Sequence, residues 1–111
     1  TVQAHDLIAD ARNAVFVSVV SLWEISLKHG QAPAGAAAMP IGADRAAELF
    51  QRAGYDMLDL TARHILYAEG LAPGHPDPFD RMLVAQALSE PMRLLTRDPR
   101  VAAYSDAIIK V

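Results

Sequence analysis

Apolar and polar positions along this chain switch between a helical and an extended rhythm. Val2 to Asn13 sets Val2, His5, Leu7, Ile8 and Ala11 near one face at helical spacing. Val15 to Ser18 is β-branched and aromatic enough for a buried strand, and Ser21 to His29 returns to helical spacing with Gly30 as its stop. Asp44 to Ala53 predicts a helix with Ala47, Leu49 and Phe50 turned inward and Gly54 ending it. Tyr55 to Leu60 predicts a short strand, and Thr61 can cap a helix running through Leu71. After a turn of APGHPDP, Pro78 opens the most regular helix, which runs to about Glu90. Met82, Leu83, Ala85, Gln86 and Leu88 wrap much of its circumference, as packing against a sheet and a neighbour requires. Arg93 to Thr96 predicts a buried strand, Pro99 to Ser105 a short helix and Ile108 to Val111 a last strand. Strands alternating with helices imply an α/β fold with a parallel sheet. Gln31 to Pro40, rich in alanine, glycine and proline, has no periodicity and reads as a loop.

Composition narrows the classes. At 111 residues and 52% apolar content, the chain is long enough for one compact domain and too short for two. A formal charge of −3 argues against nucleic-acid binding through a broad basic surface, so any such contact is local and metal-assisted. Cysteine is absent, which excludes disulfides, zinc–thiolate sites and thiol catalysis and is compatible with a reducing cytoplasm. The longest apolar stretch, Val15 to Trp23, is interrupted by serines and falls short of the roughly 20 residues that span a bilayer. No secretory signal pattern opens the chain.

Three acids sit where a strand-like run gives way to a helix start: Glu24, Asp80 and Asp98. In an open parallel sheet such positions converge on one edge, where gathered carboxylates repel unless a divalent cation lies between them. Phosphodiester hydrolysis is the chemistry most often built on such a cluster. Each acid also has a structural reading. Ser21 and Glu24 have capping-box spacing; Asp77 can cap a helix whose first residue is Pro78, with Asp80 on the favourable end of its dipole; Asp98-Pro99 is again a cap followed by proline. Asp6 falls on a solvated helix face. None of His5, His29, His64 and His75 is spaced as a helical metal pair, and His75, beside the acidic turn, reads as hydrogen-bonding locally or touching substrate. Trp23, on a strand-to-helix turn, reads as core, and the three tyrosines form no pattern.

The run Val17-Ser18-Val-Val-Ser21-Leu-Trp23-Glu24-Ile25, then His75-Pro-Asp77-Pro78-Phe79-Asp80-Arg81-Met-Leu-Val-Ala-Gln86-Ala87, then Leu94-Leu95-Thr96-Arg97-Asp98 resembles the PIN-domain ribonucleases of the VapC toxin type. The resemblance covers nearly the whole chain. It implies a PIN-like three-layer domain with a central parallel sheet flanked by helices, and an endoribonuclease that cuts RNA, tRNA among the candidates, with Mg²⁺ or Mn²⁺. It also implies neutralisation by a cognate antitoxin, pairing with a second copy, and a cytoplasmic setting without a membrane. By motif match Glu24, Asp80 and Asp98 correspond to the second, third and fourth acids of the family's quartet. Ser21, Thr96 and Asp77 would support them, and Arg81, Arg97 and Lys28 would meet RNA phosphates. The family's short first strand, ending in an aspartate, has no counterpart here, so the domain is expected to be N-terminally incomplete. Gly30-Gln31-Ala32 replaces the usual Gly-Lys-Leu. Two other classes bear on the same residues. A catalytically silent domain would only bind an antitoxin or a second copy, whereas a phosphate-receiving domain would need an aspartate after the first strand, and none is placed there.

Overall fold

The computed structural model describes residues 1–31 and 40–111, so most of the loop expected over 31–40 lies outside the described residues. The fold is α/β, with helices and two parallel strand pairs in alternation. The chain divides into two compact units, Ala14–Asp59 and the combination of Thr1–Asn13 with Leu60–Val111.

In the first of these, β1 (Phe16–Ser18) pairs in parallel with β2 (Asp56–Leu58), with Phe16 opposite Asp56 and Ser18 opposite Leu58. Helix α2 (Val19–Gln31) follows without a break because the Ser18 hydroxyl accepts the Val20 N–H at 3.0 Å. The helix therefore starts two residues before the expected Ser21, which falls inside its first turn, and Gly30 does not stop it. Helix α3 (Ala43–Arg52) buries Ala46, whereas Leu49 is exposed and Ala47 and Phe50 are half-buried. Its end is the Schellman arrangement: the Gly54 N–H reaches the Gln51 carbonyl and the Tyr55 N–H the Phe50 carbonyl, both at 3.0 Å. Gly54 sits at φ +82°, open to glycine and costly to other residues, and the Phe50 and Tyr55 rings meet across the turn with centroids 6.3 Å apart.

The other unit carries α1 (Val2–Ala9), α4 (Ala62–Glu69), α5 (Pro78–Ser89), β3 (Leu94–Thr96), α6 (Pro99–Ala102) and β4 (Ile108–Lys110). Helix α1 begins at Thr1, whose hydroxyl accepts the Ala4 N–H, and ends sooner than its periodicity predicts. Asp10 takes the Arg12 backbone N–H and guanidinium, a local bond that competes with another helical turn. None of its residues is buried. Strands β3 and β4 pair in parallel with Leu94 opposite Ile108, and Val84, Val101 and Ile108 form the buried centre, joined by Leu71, Leu88 and Leu94.

Helices α4 and α5 form an antiparallel hairpin clamped at both ends. At one end His64, fully buried, accepts the Thr61 N–H on Nδ1 at 3.1 Å and sets Nε2 2.5 Å from Glu90 Oε2, while the Arg63 guanidinium donates to the Ser89 carbonyl. Gln86, also buried, reaches the same Nδ1 at 3.4 Å. At the other end the Arg81 guanidinium donates to the carbonyls of Ala68 (3.1 Å), Leu71 (3.4 Å) and Ala72 (3.0 Å). A cation on the last turn of α4 and on the carbonyls just past its end complements the helix dipole. Among the described residues no helix is long and apolar enough to cross a membrane.

Candidate functional site

Two helix starts in the larger unit bring their acids together. Asp77 caps α5, accepting the N–H groups of Phe79 (2.8 Å) and Asp80 (3.4 Å) with proline at the first helical position. Asp80, one turn in, is therefore at the positive end of a helix whose entry angle is fixed. Asp98 caps α6 in the same way, accepting the Arg100 N–H at 2.8 Å. Its own N–H is held by the Thr96 hydroxyl at 3.1 Å, so the last residue of β3 sets the direction in which Asp98 leaves the strand.

His75 joins the two. Its ring is buried, with Nε2 2.9 Å from Asp98 Oδ2 and 3.2 Å from Asp80 Oδ2. On the other side Nδ1 accepts the Asp77 N–H at 3.0 Å, and the His75 backbone N–H donates to the Tyr104 hydroxyl at 3.1 Å. That hydroxyl also accepts from Arg81 at 3.0 Å. One oxygen of each carboxylate and the imidazole nitrogen lie within 4.8 Å of one another, the only such grouping of three among the described residues. The His75 hydrogen bond is the largest cause of an Asp98 carboxyl that sits at about 2, below its ordinary 3.8; the Arg100 backbone N–H is the next. The cluster is half open, since both carboxylates keep 29% of their surface exposed. Beside it, Leu71, Pro73, Gly74, His75, Pro76 and Arg81 line a wide concavity of about 460 Å³.

Of the residues singled out in the sequence, Asp80 and Asp98 meet here, with Asp77 and Thr96 holding their backbone. Arg97 is exposed. Arg81, expected at RNA phosphates, has both terminal nitrogens on the carbonyls of the α4–α5 hairpin and on Tyr104. Glu24, Ser21 and Lys28 belong to the other unit, all on α2. There Glu24 pairs with Lys28 at 2.9 Å, one turn along, and the Ser21–Glu24 capping box gives way to the cap from Ser18. Trp23, expected in the core, lies on α2 with 57% of its surface exposed. Sequence reasoning missed Tyr104 and the bridging role of His75. The signal for the latter was its position two residues before a helix cap, where a histidine Nδ1 can take the cap's own N–H.

A family model described as PIN domain matches residues 1–107. Neither the curated proteins nor the solved structures contain a match.

Proposed function

We propose, on the premise that this chain belongs to the PIN-domain family, a family of metal-dependent nucleases, that it is an endoribonuclease working with Mg²⁺ or Mn²⁺. The observation that carries the reading is the convergence of Asp80 and Asp98 from two helix starts onto one buried nitrogen. Two helix-start carboxylates held at one point by a neutral donor form an anionic niche of hard oxygens, the donor set that suits Mg²⁺ and Mn²⁺. Such an ion would supply positive charge to a scissile phosphate and its leaving oxygen. Asp80 and Asp98 would hold the ion, and Asp77 and Thr96 fix the backbone from which they project. Glu24, on α2 of the other unit, keeps only its motif match to the second acid of the family's quartet. Arg97, exposed and next to Asp98, is a cation that could meet a phosphate there.

The same motifs support a narrower reading, a toxin of the VapC type held inactive by an antitoxin, acting in the cytoplasm as a homodimer. Small toxins of this kind pair with a segment that folds on binding. Incubation of the purified chain with structured RNAs, tRNA included, tests the enzymatic reading. Cutting should require Mg²⁺ or Mn²⁺, stop with EDTA and be lost in Asp80→Asn. RNA left intact by folded, metal-loaded protein would leave a silent binding domain instead.

A further inference from the structure

His75, Asp80 and Asp98 can be taken at first sight for three ligands of one ion, since their nearest atoms lie within 4.8 Å of one another. The hydrogen bonds exclude the imidazole from that role. A neutral imidazole carries one proton, and the nitrogen without it is the acceptor. Nδ1 faces the Asp77 N–H, which can only donate, so Nδ1 is the bare nitrogen and the proton is on Nε2. A protonated Nε2 has no lone pair for a metal. It donates instead to Asp98 Oδ2, with Asp80 Oδ2 close by. The tautomer is set firmly. The Asp77 N–H is the backbone of the residue that caps α5, and the ring that receives it is buried. Moving its proton would set Nδ1–H against the Asp77 N–H, and turning the imidazole around would leave that N–H facing a carbon, with little water to relieve either.

We infer that His75 is a positioning residue: held as the Nε2–H tautomer by the Asp77 backbone, it fixes Asp98 and Asp80 at one point from outside the coordination sphere. This rests on the metal-dependent reading proposed above. The arrangement inverts the common one in which a carboxylate orients a histidine ligand; here the histidine orients the carboxylates. It gives the chain a hydrogen-bond donor between two like charges before any ion arrives, so the carboxylates need not rearrange when one does.

The tautomer is read directly by ¹⁵N NMR of the histidine rings in the intact chain. His75 should show its proton on Nε2 in metal-free protein and keep it when Mg²⁺ is added; loss of that proton on adding Mg²⁺ would make His75 a ligand and overturn the inference. Mn²⁺ binding, followed by the loss of the free-ion electron paramagnetic signal, supplies the second arm. His75→Ala should weaken Mn²⁺ roughly 10- to 100-fold, the range for lost outer-shell partners. His75→Gln, whose amide nitrogen reaches the Nε2 position, should recover most of it, and His75→Asn, which does not reach, should not. Unchanged binding in His75→Ala would overturn the positioning role alone. Absence of Mn²⁺ binding by the unsubstituted chain would remove the metal reading itself, and the role of His75 with it.

Discussion

His64 lies between the Thr61 N–H and the Glu90 carboxylate, and His75 between the Asp77 N–H and the Asp98 carboxylate. Both rings are buried, and both accept a backbone N–H on Nδ1 and turn Nε2 to an acid. They differ in which helix ends they join. His64 ties the start of α4 to the end of α5, where the acid it meets is the C-cap residue Glu90. His75 ties the start of α5 to the start of α6, and helix starts are where acids collect as caps and dipole partners. One bonding scheme thus makes a latch where opposite helix ends meet and an anionic cluster where like ends meet. The number of carboxylates around the ring, more than the ring itself, separates a structural histidine from one at a candidate site.

The largest effect should come from breaking the latch. His64→Ala opens a cavity in the α4–α5 hairpin, strands the Thr61 N–H and removes one contact of the Gln86 amide. A cost of about 3 kcal/mol is expected, the sum of a large-to-small change and lost buried bonds. Chemical denaturation measures it. Mn²⁺ affinity of the folded fraction should be unchanged, in contrast to His75→Ala; equal losses of affinity would mean that the two histidines are not separate in role.

The opposite end of the hairpin should respond next. Arg81→Ala removes a guanidinium from three carbonyls and Tyr104, a charged clamp worth about 2 kcal/mol. Arg81→Lys should restore less than half, because a point charge cannot span acceptors that a planar fork reaches together. If Arg81 served the substrate alone, thermal unfolding would not register either change.

How much of this was legible follows from sequence separation. The caps at Asp77 and Asp98 are local, each followed by proline, and were readable as caps from three residues. Gly54 ends α3 as its place after the last periodic residue predicts. The motif resemblance named Asp80 and Asp98. The latch and the bridge join residues 26 and 23 positions apart, and no local rule pairs a histidine with an acid at such distance. Within α2 the error was one of choice between neighbours. Ser18 and Ser21 are both competent caps, and the strand ending at Ser18 decides for the first, which dissolved the Ser21–Glu24 box. Gln86 illustrates the converse. It belongs to the most specific motif in the chain, yet its amide is buried against His64, so motif membership alone does not mark a residue as chemical.

Acid should act on the His75 side through Asp98. A carboxyl whose folded value is lowered contributes stability that is complete above its ordinary value and is lost as pH falls through the folded one. For Asp98 that window runs from 3.8 down to about 2. The unfolding midpoint should therefore fall across this window, and Asp98→Asn should show a shallower fall, the two curves converging at the acid end. Parallel curves would mean that the His75 bond does not hold Asp98 in solution.

The smallest effect is the most discriminating. Glu90→Gln leaves an amide oxygen to accept from His64 Nε2–H, so a charged hydrogen bond becomes a neutral one at a partly exposed position, and less than about 1 kcal/mol should be lost. Asp98→Asn makes the same exchange opposite His75. There the bond to Nε2–H can persist in the same neutral form, but the negative charge that faces a cation is gone, and Mn²⁺ binding should fall by more than about 100-fold, beyond the range for an outer-shell partner. If the latch needed its charge as much as the cluster does, Glu90→Gln would unfold at markedly lower denaturant. If the cluster needed only its hydrogen bond, Asp98→Asn would still bind Mn²⁺. Measured side by side, the two substitutions separate what a buried histidine requires from its acid, an acceptor, from what an ion requires of the same group, a charge.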